Sequence, residues 1–123
     1  SGGAGDDFIY GNKDLDRLVG GSGSDTLFGG QQSDTLFGLS GADQVYGNKQ
    51  DDTLHGGLGN DSLFGGQQDD LLYGQFGNDR IDGNRGNDTL YGEDGIDTFV
   101  ISKGDDWVMD FNTTQDKIEI ADA

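Results

Sequence analysis

The residues with chemistry to offer are aspartates, and their spacing is regular. Asp7, Asp16, Asp25, Asp34, Asp43, Asp52, Asp61, Asp70, Asp79, Asp88, Asp97 and Asp106 recur every nine residues. In a chain with no Cys and one His, a carboxylate at a fixed interval is an all-oxygen ligand set. Such a set suits a hard divalent cation, and calcium above all, because calcium accepts carboxylates and turn carbonyls in irregular cages. Magnesium, with its near-octahedral geometry and retained water, fits less well. The same residues make poor catalysts: they pair with no basic side chain, and HExxH, GxSxG and a phosphate-cradling loop leading into a helix and Lys are all missing. The sequence therefore reads as a non-enzyme.

The element that positions these aspartates is a repeat. From Gly2 to Met109 the chain divides, without insertion or deletion, into twelve nonapeptides. Asp holds the sixth position, an apolar residue the eighth, and Gly opens eleven of the twelve, Ile101 being the exception. The first six residues of a unit are turn-formers, as in Gly20-Gly21-Ser22-Gly23-Ser24-Asp25, and the last three, as in Thr26-Leu27-Phe28, read as a short strand. Two units then make an 18-residue coil, with neighbouring coils about 4.8 Å apart at sheet spacing.

The expected fold is all-β, a parallel β-roll (β-solenoid) of about six coils over residues 2–109, followed by C-terminal cap strands over 110–123. Eighth-position residues stack in two facing rows, Ile9, Leu27, Val45, Leu63, Ile81 and Phe99 against Leu18, Leu36, Leu54, Leu72, Leu90 and Val108. These rows are the expected core. The sixth-position aspartates form two ladders, one along each edge, in which neighbouring carboxylates repel by roughly 1 kcal/mol even in water. Cations between rungs reverse that sign, and five gaps per edge allow up to about ten calcium ions. Odd-numbered units also keep Gly at the fourth position, Gly5, Gly23, Gly41, Gly59, Gly77 and Gly95, where a turn can curl its carbonyls inward to complete the predicted metal set.

Composition narrows the partners. The 123 residues include 24 Gly, no Pro, and 24 acidic against 7 basic side chains, for a net charge of −17. Nucleic acid and anionic membranes are poor partners for such a surface, and no apolar run approaches the roughly 20 residues of a spanning helix. With only 31% hydrophobic residues, composition on its own predicts disorder, so calcium binding and folding are expected to be one coupled event.

At these positions the chain resembles the repeats-in-toxin (RTX), or hemolysin-type, calcium-binding repeats, whose consensus is Gly-Gly-x-Gly-x-Asp-x-U-x, U being a large apolar residue. Gly20 to Phe28 and Gly56 to Phe64 match it at every fixed position, and the resemblance spans residues 2–109. It implies a right-handed parallel β-roll in a bacterial protein exported unfolded by type I secretion, folding on extracellular calcium and secreted or held at the cell surface. It also implies a covalently linked enzyme or toxin domain; the missing initial Met and the stop at Ala123 read as a piece of something larger. The stretch Asp97 to Phe111, with Asp116-Lys-Ile-Glu-Ile, resembles the family's closing cap, in which Trp107, Phe111, Ile118 and Ile120 are expected to cover the open core.

The two edges differ. Even units carry Asp14, Gln32, Gln50 and Gln68 at the fourth position before Gly86 and Gly104 restore the pattern. Gln in a positive-φ slot costs about 1 kcal/mol or more, so the turn is expected to change there. Lys13, Lys49, Arg85 and Lys103 occupy the third position of even units, with Gln31 and Gln67 between them. Outward columns carry Tyr10, Phe28, Tyr46 and Phe64 on one face and Phe37, His55, Tyr73 and Tyr91 on the other, either as stacked shields for the sheets or as sugar-binding rings. Three functions follow: a calcium-triggered export and folding module, a structural or adhesive array, and a polysaccharide-binding module.

Overall fold

A computed structural model describes residues 1–121; Asp122 and Ala123, the end of the expected cap, lie outside the described residues. The strands in chain order are β1 Gly3–Ala4, β2 Phe8–Asn12, β3 Arg17–Ser22, β4 Thr26–Gly30, β5 Thr35–Ser40, β6 Gln44–Asn48, β7 Thr53–Leu58, β8 Ser62–Gln67, β9 Leu71–Phe76, β10 Arg80–Arg85, β11 Thr89–Asp94, β12 Thr98–Ile101, β13 Trp107–Val108 and β14 Lys117–Ile120. No helix occurs among the described residues, and so none is long and apolar enough to cross a membrane.

The strands are longer than the three residues expected. β7 runs through the last three residues of one nonapeptide and the first three of the next, so that between β2 and β12 only three or four residues remain for each turn. The alternation of side chains explains the extension. Asp52, Leu54 and Gly56 face inward while Thr53 and His55 face outward, which is the period of a strand carried straight through the glycine. A glycine at the inward end leaves room that a side chain would fill, so it extends the strand instead of ending it.

Odd-numbered strands form one sheet, in the order β1-β3-β5-β7-β9-β11-β13, and even-numbered strands the other, β14-β12-β10-β8-β6-β4-β2. Every pair is parallel and, within the repeats, in an 18-residue register, Leu27 beside Val45 and Leu54 beside Leu72. The expected apolar rows meet between the sheets. Leu27, Leu36, Val45, Leu54, Leu63, Leu72, Ile81, Leu90 and Phe99 are fully buried, Leu18 is nearly so, and Ile9 and Val108 at the two ends are partly covered.

The aromatic columns stack. Tyr10, Phe28, Tyr46 and Phe64 lie with ring centroids 4.8–4.9 Å apart and within 9° of parallel. Phe37, His55, Tyr73 and Tyr91 stack at 4.6–4.9 Å and within 12° of parallel, and the Arg17 guanidinium lies 4.4 Å from the Phe37 ring centre. The ring faces are thus turned to one another and mostly edges look outward. That is the arrangement expected of rings that support pairing between coils, and it leaves few faces for a sugar.

The cap departs from expectation. Trp107, Ile118 and Ile120 remain 67%, 49% and 72% exposed, and of the four residues assigned to it only Phe111 packs on the core, 6.1 Å from Phe99. Trp107 pairs with the outward-facing Thr89, and Ile118 lies on the last rung with no coil beyond it. Polar groups finish the stack instead. The amides of Gly92 and Glu93 donate to Asp110 Oδ1 and Oδ2 at 2.9 and 2.7 Å, so a side chain takes the place of the next strand's backbone.

Candidate metal centre

Each sixth-position aspartate follows a turn and begins the inward face of a strand, and this places its carboxylate inside the roll. Asp25, Asp34, Asp43, Asp52, Asp61, Asp70, Asp79, Asp88 and Asp97 are buried beside the apolar rows. The two ladders exist, but amides connect their rungs. Each Asp N–H from Asp7 to Asp88 donates to Oδ1 of the aspartate 18 residues later, at 2.7–3.1 Å. Backbone amides thereby offset part of the repulsion between like charges.

The second oxygen is different. Oδ2 of all twelve sixth-position aspartates is buried and accepts no hydrogen bond. A buried carboxylate oxygen without a partner is costly, and the row of them marks a missing positive charge. The opening glycine of the same unit makes the space: a Cβ on Gly20 would lie 2.6 Å from Asp25 Oδ2, and one on Gly29 2.7 Å from Asp34 Oδ2. No three His, Cys, Asp or Glu groups converge on one point among the described residues, so carboxylates alone do not form a cage. The remaining oxygens must come from the turns, and a set of carboxylates and carbonyls fits calcium.

Electrostatics agree. Burial is the largest effect on these carboxyls and pushes Asp43 and Asp97 up to about 6, Asp52, Asp61 and Asp88 to about 7, Asp79 to about 8 and Asp70 to about 9. Asp34 and Asp106 are raised for the same reason. The donated amide pulls each value down, and neighbouring carboxylates along the ladder raise it again.

Gly5, Gly23, Gly41, Gly59, Gly77 and Gly95 stack in one column with φ of 100–118°. A Cβ on Gly41 would overlap the carbonyl oxygen of Gly23 one coil before. On the other side of the roll Gln32, Gln50 and Gln68 keep the positive sign, at φ of 76–78°, as do Asn12, Asn48 and Asn84 at the second position. At the three Gln positions the turn is retained, drawn into the left-handed basin that a side chain tolerates, whereas Asp14 leaves the positive-φ region and the expected change of turn occurs there. Leu39, Gln75 and Glu93 show the same compromise in odd units. Gly41→Ala should therefore destabilise the calcium-loaded roll by about 2 kcal/mol, whereas Gln50→Ala, already in the side-chain basin, should shift it by less than about 0.5 kcal/mol. Urea unfolding in excess calcium checks the contrast, and equal losses would refute it.

Two features escaped the repeat. Fifth-position side chains make an outer ladder of opposite sense: Asp6 Oδ1 accepts the Ser24 amide, Asn60 Oδ1 that of Asn78, and Asp69 Oδ1 that of Asn87, at 2.8–2.9 Å. The inner ladder also continues past the array, where the Asp97 amide donates to Asp116 Oδ1 at 3.0 Å across 19 residues. Its signal was in the sequence, since Asp116-Lys117-Ile118 repeats the Asp-x-apolar pattern of Asp97-Thr98-Phe99 one residue out of step.

A family model for the RTX calcium-binding nonapeptide repeat matches the chain in four copies, over residues 1–27, 28–63, 37–72 and 64–99. Searches of curated proteins and of solved structures give no significant match.

Proposed function

The chain belongs to the RTX calcium-binding nonapeptide-repeat family, and on that premise we propose that it is a calcium-triggered folding module of a larger protein exported to the bacterial exterior. The observation that carries this reading is the double row of buried, unpartnered Oδ2 atoms. Calcium, when bound, supplies the positive charge and oxygen affinity those atoms lack. The chain's own part is to hold the carboxylates from Asp25 to Asp106 by their amide partners, keep water from them, and present turn oxygens beside them. Unloaded, the same groups oppose folding, which is what an export-competent state requires: a chain that stays extended until it meets calcium outside the cell. The module acts by binding rather than catalysis, and an enzyme or toxin domain joined to it would supply the activity. The polar finish at Asp110 and Asp116 favours such a closed module over a segment of a structural or adhesive array, in which the repeat would run on.

Ion counting by native mass spectrometry tests the reading. Ten ladder steps, five in each row, set a ceiling of about ten ions. A count near five would mean that the Gln-bearing row stays empty, and a count of zero with the roll intact would overturn the proposal. Asp61→Ala removes a carboxylate and also strands the Asp43 amide, so apparent calcium affinity should fall about tenfold. Asp94→Ala, on an exposed third position, should leave it nearly unchanged, and equal effects would show the register to be wrong.

A further inference from the structure

Four of the seven basic residues lie on one line of this acidic surface. Lys13, Lys49, Arg85 and Lys103 follow one another along the turns of the even units, with Gln31 and Gln67 on the intervening coils. Arg85 pairs in register with Gln67, and a bridge joins it to Lys103. Three contiguous recesses run along this edge, of about 380, 330 and 340 Å³, sharing Gln31, Asn48, Lys49 and Gln67 between them. No Asp or Glu lines any of the three, in a chain with 24 acidic residues. Beside Lys49 and Gln67 the nearest carboxylates on the outer face are turned to the backbone, Asp51 Oδ1 accepting the Asp69 amide and Asp69 Oδ1 that of Asn87, whereas Asp14 beside Lys13 stays exposed outside the recesses. Among the described residues the salt bridge is Arg80–Glu119, so Lys49 and Arg85 hold no carboxylate of their own.

The geometry points to a binding groove for an extended acidic polysaccharide in which charged and uncharged sugars alternate. Within the recesses Lys49 and Arg85 stand two coils apart, a step of roughly 10 Å at sheet spacing, and Lys13 lies two coils before Lys49, outside them, as does Lys103 one coil after Arg85. That step is close to the length of a disaccharide in an extended chain, so one carboxylate per disaccharide would meet a cation each time. The uncharged sugar between would face Gln31 or Gln67, whose amides both donate and accept, as hydroxyls require. Other polymers fit less well. An extended peptide repeats like side chains on one face every 6.7 Å or so, out of step with the cations. A nucleic acid wants exposed ring faces, which the columns beside the groove have turned toward one another, and its dense charge meets a net −17.

Hyaluronan oligosaccharides, which carry one carboxylate per disaccharide and do not gel with calcium, are the probe, titrated against the full chain in saturating calcium. Binding is expected, with affinity about fivefold weaker in Lys49→Gln and roughly twentyfold weaker in Lys49→Gln/Arg85→Gln, while Lys117→Gln on the cap leaves it unchanged. Circular dichroism on the same samples separates loss of the groove from loss of the roll. Absence of binding to a folded roll overturns the proposal. So does displacement by poly-glutamate as readily as by hyaluronan, which would make the strip a surface of charge alone. Binding that survives the double substitution would place the site elsewhere and overturn it equally.

Discussion

Chelating calcium from the folded chain is expected to abolish nearly all of its β-sheet circular dichroism signal, in one cooperative transition that reverses when calcium returns. Each nonapeptide orders nine residues yet buries a single eighth-position side chain, such as Leu54 or Leu63, together with a carboxylate. Hydrogen bonding does not rescue the balance, because twelve Oδ2 atoms are left without a donor. Cooperativity follows from the ladders: every coil from Asp7 to Asp88 gives its amide to the next, so losing one rung exposes groups on its neighbour. A spectrum unchanged by EDTA, with metal shown to be absent, would end the idea that calcium and folding are coupled.

The second large effect is a reversed response to acid. Without calcium, lowering the pH from about 8 to about 4.5 should restore β signal to a chain that is unfolded at neutral pH. The sign follows from the buried carboxyls. Their ordinary value is 3.8, and burial raises Asp61 to about 7, Asp79 to about 8 and Asp70 to about 9. The folded state therefore binds more protons than the unfolded one, its stabilisation is complete below 3.8, and it is lost as pH rises through about 6 to 9. Protonation also gives each Oδ2 a hydrogen to donate and brings the net charge of −17 closer to zero. In calcium the dependence should run the other way, since ligation needs the ionised form and protons compete for it. A calcium-free chain that loses structure on acidification would contradict the burial of these groups.

Much of this architecture was legible because the repeat is strict. Leu27, Val45 and Leu63 could be placed in one row from the 18-residue register alone, and the aspartate ladders follow from the same arithmetic. What escaped depended on direction rather than spacing. Gly56 has turn propensity, yet its lack of a side chain is what lets β7 continue inward beside Asp61. Hydrophobicity assigned Trp107 to the core, whereas its place beside Thr89 turns it to solvent. Asp116 was hidden by a single inserted residue, and Asp110 by a task, receiving two amides at the end of a sheet, that no repeat position performs.

The inner hydrogen-bond ladder gives the roll a front and a back that the sheets alone would not. An amide always reaches forward, toward the coil that comes later, so among the described residues no amide arrives at Oδ1 of Asp7 or Asp16. At the rear, one row is stoppered by Asp116. A further coil laid behind that row would have to displace this plug before its own aspartate could take the Asp97 amide, so the rung that ends the row also guards it against extension.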